Sequence, residues 1–124
     1  MINLGFDIDN VLTLSPKKLG EFINVFFGDK NIKIIIITGR PPKSSDETIE
    51  FLKNNKIYFD KIFFHPSDHT VPKLADWKSS ICKKEKIDFM FESNPEIAQR
   101  IQEQNKEIIC FVTLPELKSK EAKY

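Results

Sequence analysis

The sequence carries almost no surplus charge. Lys and Arg number 19 against 18 Asp and Glu, a formal net charge of +1. So even a balance sets up no field that argues for nucleic acid or a membrane surface as partner. Cysteine is scarce. Cys82 and Cys110 lie far apart and fit neither a metal nor a redox spacing, so they read as buried free thiols of a reducing compartment. Long apolar runs are missing as well. The longest, Ile34–Ile37, is far too short to span a bilayer, and no membrane association is expected. No signal peptide precedes the first apolar segment, and the expected location is the cytoplasm. Internal repeats and low-complexity tracts are absent.

What is present reads as one soluble domain. The chain has 124 residues, 40% hydrophobic and 30% charged, enough for a real core and too apolar for a disordered segment. Eleven Phe suggest a core filled by rings from several elements. Short apolar runs at Ile2–Asp7, Ile32–Thr38, Ile57–Phe64, Ile87–Glu92 and Glu107–Val112 predict five strands. Helical spacing of Leu19, Phe22, Ile23 and Phe26 predicts a helix after the first, and Ile49 with Leu52 a second. Leu74, Trp77 and Ile81 mark a third. Ile97, Ala98 and Ile101 mark a fourth, opening at Asn94-Pro95 with a cap residue before Pro. This alternation predicts an α/β fold: a single Rossmann-like three-layer domain, with a mainly parallel five-stranded sheet and helices on both faces. The domain is expected to cover residues 1–115, followed by a charged tail at 116–124.

In such sheets ligands bind beyond the carboxyl ends of the strands, where strand order reverses. The first strand ends in Asp7 and Asp9, the second in Thr38-Gly39-Arg40, the fourth in Glu92-Ser93-Asn94. An extended chain would put Asp7 and Asp9 on one side. Two anions held close repel unless a cation neutralises them or one takes a proton. With strands one, two and four side by side, the set suits a divalent cation and a phosphoryl group.

These residues resemble the haloacid dehalogenase (HAD) superfamily of phosphohydrolases. Asp7-Ile8-Asp9-Asn10-Val11 is similar to its first motif, and Ile34–Ile37 followed by Thr38-Gly39-Arg40 to its second. Lys78 matches the third-motif lysine, and Phe91-Glu92-Ser93-Asn94 stands where the acidic fourth motif belongs. The resemblance runs to about Val112. It implies a Mg²⁺-dependent phosphatase acting on phosphomonoesters through an aspartyl-phosphate on Asp7. Asp9 would protonate the leaving oxygen and then activate water. Thr38 and Gly39, with Asn10 beside them, would hold the substrate, and Lys78 would add positive charge. Arg40, beside two prolines, suits contact with a substrate phosphate and a capping or surface role equally. Mg²⁺ would sit on Asp7, the Asp9 carbonyl and Glu92. About thirty residues separate the first two motifs and a helix fills most of that gap, so no separate cap domain is expected. An open site of this kind favours a large or varied substrate, nucleotides or nucleic-acid ends ranking highest, or a lid from an oligomeric partner.

Several alternatives stay open at this level. Lys73 is nearer the start of the third helix, but Lys78 lies within the apolar arc of Leu74, Ile81 and Cys82, where a lysine needs a partner. Ser93 replaces a second acid usual in the fourth motif. Glu92 would then bind the metal directly, Asn94 or Glu96 would substitute, or the metal site would be weak. This motivates a second reading, a catalytically impaired HAD-like module that binds phosphate or metal. His65 and His69 flank Pro66 in a loop, and substrate contact at the mouth of the site, or no role at all, suits them better than zinc. A signalling receiver domain shares the alternation, but Phe63-Phe64-His65 and Val112-Thr113-Leu114 lack its phosphorylated Asp and its Lys.

Overall fold

The isoleucine run of residues 34–37 sets the layering. Ile34 and Ile36 are buried in one apolar cluster, with Phe6, Leu12, Ile23 and Leu52. Ile35 and Ile37 are buried in the other, with Cys82, Met90, Ile97 and Ile101. A strand apolar at every position must be covered on both faces, and this one is. The computed structural model describes residues 1–66 and 71–114. The predicted His69 and the tail at 116–124 lie outside the described residues.

The chain runs β1 (Ile2–Phe6), α1 (Pro16–Phe26), β2 (Ile32–Thr38), α2 (Ser45–Asn54), β3 (Lys61–Phe64), α3 (Val71–Lys84), β4 (Phe89–Glu92), α4 (Pro95–Gln104) and β5 (Ile109–Val112). The five strands form one sheet in the order β3-β2-β1-β4-β5, and every pairing is parallel. Order reverses between β1 and β4, which puts the crevice at the ends that carry Asp7 and Glu92. Register places Phe6, Phe91 and Phe111 side by side. Their rings stack at 4.7 and 5.0 Å, so the many phenylalanines include a cross-strand row over one face. Asn94 caps α4 as expected, its Oδ1 accepting from the amides of Glu96 and Ile97. Cys82 is buried and Cys110 half-buried, both free thiols. Burial pushes Cys82 up to about 12 and Cys110 to about 11, which keeps both unreactive.

Three strands start later than their apolar runs suggest, and β1 ends one residue earlier. Ile57 and Ile87 belong to helix ends rather than to strands. At the end of α2 the amide of Lys56 bonds to Lys53 O and that of Ile57 to Leu52 O. The same pair of bonds recurs after α3, from Lys86 to Lys83 O and from Ile87 to Cys82 O. Both are Schellman closures whose last residue packs back on the helix, which buries an isoleucine without making it a strand. The turning residue is Lys56 (φ 54°) in one and Lys86 (φ 54°) in the other, where glycine is usual. A side chain in that conformation costs about 1 kcal/mol or more. Lys56→Gly and Lys86→Gly should therefore each raise stability by about 0.5 kcal/mol, after the entropy of the freer unfolded chain is offset. Urea unfolding of the two variants checks this, and a loss in both would contradict it.

Candidate active site

β1 delivers Asp7 to the switch point, with its amide bonded to Phe91 O of β4 at 3.0 Å. The strand has ended by then, so alternation no longer governs residues 8–13. Asp9 is extended, Asn10 turns left-handed (φ 59°), and the Thr13 amide closes the loop on Ile8 O. Asp7 is buried and Asp9 exposed, so alternation is not what relates the two acids. Two hydroxyls hold the turn. Thr13 Oγ1 accepts from the Asn10 amide at 2.9 Å, and Thr113 Oγ1, just past β5, donates to Asn10 O at 2.6 Å.

Lys78 lies between Asp7 and Glu92. Its Nζ is 2.7 Å from Glu92 Oε1 and 3.2 Å from Asp7 Oδ1, and all three side chains are buried. This explains the lysine inside an apolar arc: it supplies the buried cation for two buried acids. Lys73, in contrast, is exposed in the first turns of α3. Glu92 is further engaged. Its Oε2 accepts from the amides of Ser93 at 2.9 Å and Asn94 at 3.0 Å. Two carboxylates against one ammonium leave a buried negative charge uncompensated. Burial first, and Glu92 beside it, push Asp7 up to about 7 against the pull of Lys78.

Thr38 is fully buried at the end of β2, and its Oγ1 accepts from the Arg40 amide at 3.1 Å. Gly39 packs so closely on Leu74 that an added Cβ would lie 3.1 Å from Leu74 Cδ2. Arg40 turns toward Asp9. Nε donates to Oδ2 at 3.1 Å and Nη2 to Oδ1 at 2.7 Å, a two-pronged pair, while Nη1 donates to Thr48 Oγ1 at 3.0 Å. Asp9 in turn raises the Arg40 pKa. His65 is buried, its ring set edge-on to Trp77 with centroids 5.0 Å apart.

An open hollow of about 580 Å³ is lined by Asn10, Ser93, Asn94, Pro95 and Glu96, which follow Asp9 and Glu92 in the chain. Another, of about 410 Å³, lies among Lys83, Lys86, Asp88 and Lys106 at the opposite end of the sheet, away from the paired carboxylates. Sequence reasoning does not single out Thr48 or Thr113. Thr48 carries a signal, a polar residue on the inward stripe of α2 one turn before Leu52. Thr113 carries a weaker one, a hydroxyl at a strand end like Thr38.

Among the described residues no group of three or more His, Cys, Asp or Glu is placed to hold a metal. Mg²⁺, which takes one or two carboxylates and fills its shell with water and phosphate oxygens, would draw first on Asp7. Asp7 has one oxygen on Lys78 and sits in a site with excess negative charge. Glu92, with a lysine and two amides already on it, is the less available ligand. Asp9 would contribute through its carbonyl, because its carboxylate is taken by Arg40.

No family profile matches the sequence, and no curated protein matches it. Solved structures share its fold. A chain of the Pnkp1/Rnl/Hen1 complex matches with a TM-score of 0.70 at 13% identity, over 93% of this chain and 47% of that one. A chain of the Pnkp1/Rnl/Hen1 RNA repair complex matches at 0.69 and 12%, over 91% and 42%. The core domain of "a putative phosphoglycolate phosphatase from Streptococcus pneumoniae TIGR4", solved by NMR, matches at 0.56 and 12%, over 98% and 93%. This chain thus spans less than half of the two repair-complex chains. At these identities the likeness establishes the fold alone, a parallel five-stranded α/β domain. Among the described residues no helix is long and apolar enough to cross a membrane.

Proposed function

We propose that the protein is a Mg²⁺-dependent phosphatase that hydrolyses phosphomonoesters through an aspartyl-phosphate on Asp7. The observation that carries this reading is the buried Asp7–Lys78–Glu92 cluster at the switch point of the sheet. A buried lysine shared by two carboxylates, with Asp7 raised by its burial, is an arrangement that reactive sites use.

In this reading Lys78 holds Asp7 Oδ1, orienting the other oxygen for in-line attack on phosphorus. The bond from phosphorus to the leaving oxygen breaks, and that oxygen takes a proton from Asp9. Asp9 then accepts a proton from water, which attacks phosphorus and breaks its bond to Asp7, releasing orthophosphate. Thr38, Gly39 and Arg40 flank the phosphoryl oxygens, with Asn10 at the hollow. When bound, Mg²⁺ supplies positive charge against the phosphoryl oxygens. The substrates ranked first are nucleotides and phosphorylated nucleic-acid ends. Support for this comes from the fold shared with chains of the Pnkp1/Rnl/Hen1 complex, one of them described as an RNA repair complex.

A second reading is favoured by one observation. Glu92 is committed to Lys78 and two amides, and the Asp9 carboxylate to Arg40, which suits a module that binds without turnover. Phosphate release from a panel of nucleotides, phosphorylated oligonucleotides and small phosphomonoesters, with and without Mg²⁺, separates the two. Mg²⁺-dependent release that Asp7→Asn abolishes is the expected result. Mg²⁺ binding with no release from any compound would favour the binding module, and Ser93→Asp would be the next variant.

A further inference from the structure

The Asp9–Arg40 pair stands where the proposed phosphoryl site opens to solvent. Its side chains are 59% and 24% exposed, so a dissolved anion can reach it. The guanidinium presents to Asp9 the same two-pronged fork that fits phosphoryl oxygens. Its backbone is fixed: the Arg40 amide is bonded to Thr38 Oγ1 and its carbonyl accepts from the His65 amide. Its third donor is anchored on the buried hydroxyl of Thr48, with the Phe51 ring 6.0 Å away. The head can therefore change partner about a fixed base. While it faces Asp9, both oxygens of that carboxylate are occupied, and Asp9 is turned to Arg40 rather than to a leaving group.

We propose that Arg40 is a two-position latch. It holds Asp9 in the free protein and passes to the phosphoryl oxygens of an arriving phosphomonoester, releasing Asp9 toward the leaving oxygen. Only hydrogen bonds are exchanged, and Thr48 is the pivot. The latch rests on the phosphatase reading above and adds to it a reason why Asp9 is engaged only once substrate is present.

The latch makes Asp9 a competitor of phosphate for Arg40, so apparent affinity is reduced by the fraction of Arg40 that is latched. A double-mutant cycle in the full chain, with inorganic phosphate as probe and no added metal, tests this. Asp9→Asn should tighten phosphate about three- to tenfold. Arg40→Lys, which keeps charge but loses the fork, should weaken it by about tenfold. In the Arg40→Lys background, Asp9→Asn should change affinity by less than about twofold. Phosphate should also shift the Arg40 Nε–H resonance of the unmutated protein. Equal tightening by Asp9→Asn in both backgrounds would reveal a general charge effect and overturn the latch. So would phosphate binding that leaves the Arg40 resonance unmoved. Failure of phosphate to bind the unmutated protein at all would also overturn the latch, whereas the phosphatase reading is decided separately by Mg²⁺-dependent phosphate release.

Discussion

Lys78→Met is expected to cost about 3–5 kcal/mol of stability and to abolish turnover. Methionine fills the space, so the loss is electrostatic rather than a cavity. Burial alone would push the Lys78 ammonium toward neutrality, but Asp7 and Glu92 outweigh it and raise its pKa, so it stays charged. Removing it leaves two buried carboxylates near each other, with the Ser93 and Asn94 amides on Glu92 and the Ile8 amide on Asp7. Removing one partner of a buried ion cluster is far more costly than replacing the whole cluster. A loss of this size is a large share of the stability of an ordinary domain, and thermal unfolding should register it directly. The double variant Lys78→Met with Asp7→Asn should recover part of the loss, because it removes one of the stranded charges. If Lys78→Met unfolds with the midpoint of the unmutated protein, the cluster is not the charged network described here.

Asp7→Asn should abolish phosphate release and at the same time stabilise the fold at neutral and alkaline pH. The sign comes from the raised pKa. An aspartate is ordinarily half-protonated near 3.8, but burial lifts Asp7 to about 7 in the folded protein. Between these values the folded state binds the proton more tightly than the unfolded chain does, so stability falls as pH rises from about 4 to about 7. Above that the loss is complete and flat. Its full size is at most about 4 kcal/mol. Asparagine cannot ionise, still offers an oxygen to Lys78, and leaves Lys78 and Glu92 as a balanced pair. Urea unfolding at pH 5, 7 and 8.5 should show the advantage of the variant growing with pH and then levelling. An advantage that shrinks as pH rises would contradict the assignment. In the proposed phosphatase, the acid that would attack phosphorus is thus one that the fold bears at a cost, as is usual where function and stability compete.

Much of this is legible in the amino-acid order. The Ile34–Ile37 run, apolar at every position, requires cover on both faces, and Asn94-Pro95 marks a helix start. Lys78 stands out because a charge within an apolar arc demands a partner. Other features mislead. Ile57 and Ile87 read as strand starts because a Schellman closure buries its last residue as a strand would. Asp7 and Asp9 read as one side of a strand because the spacing alone does not show that β1 stops at Phe6.

The layers and the identity of the acids gathered beyond the strands are thus written in the sequence. Those depend on local periodicity and on alternation along the chain. Which charge meets which is a property of the assembled sheet alone. Arg40 reaches Asp9 across 31 residues and Thr113 reaches Asn10 across 103. Lys78 finds Asp7 and Glu92 because β4 crosses back beside β1 and α3 packs over the face they share. Hydrogen-bonding reach is about 3 Å, whereas sequence periodicity carries no information about strand order, so pairings of this kind become visible only once the strands stand side by side.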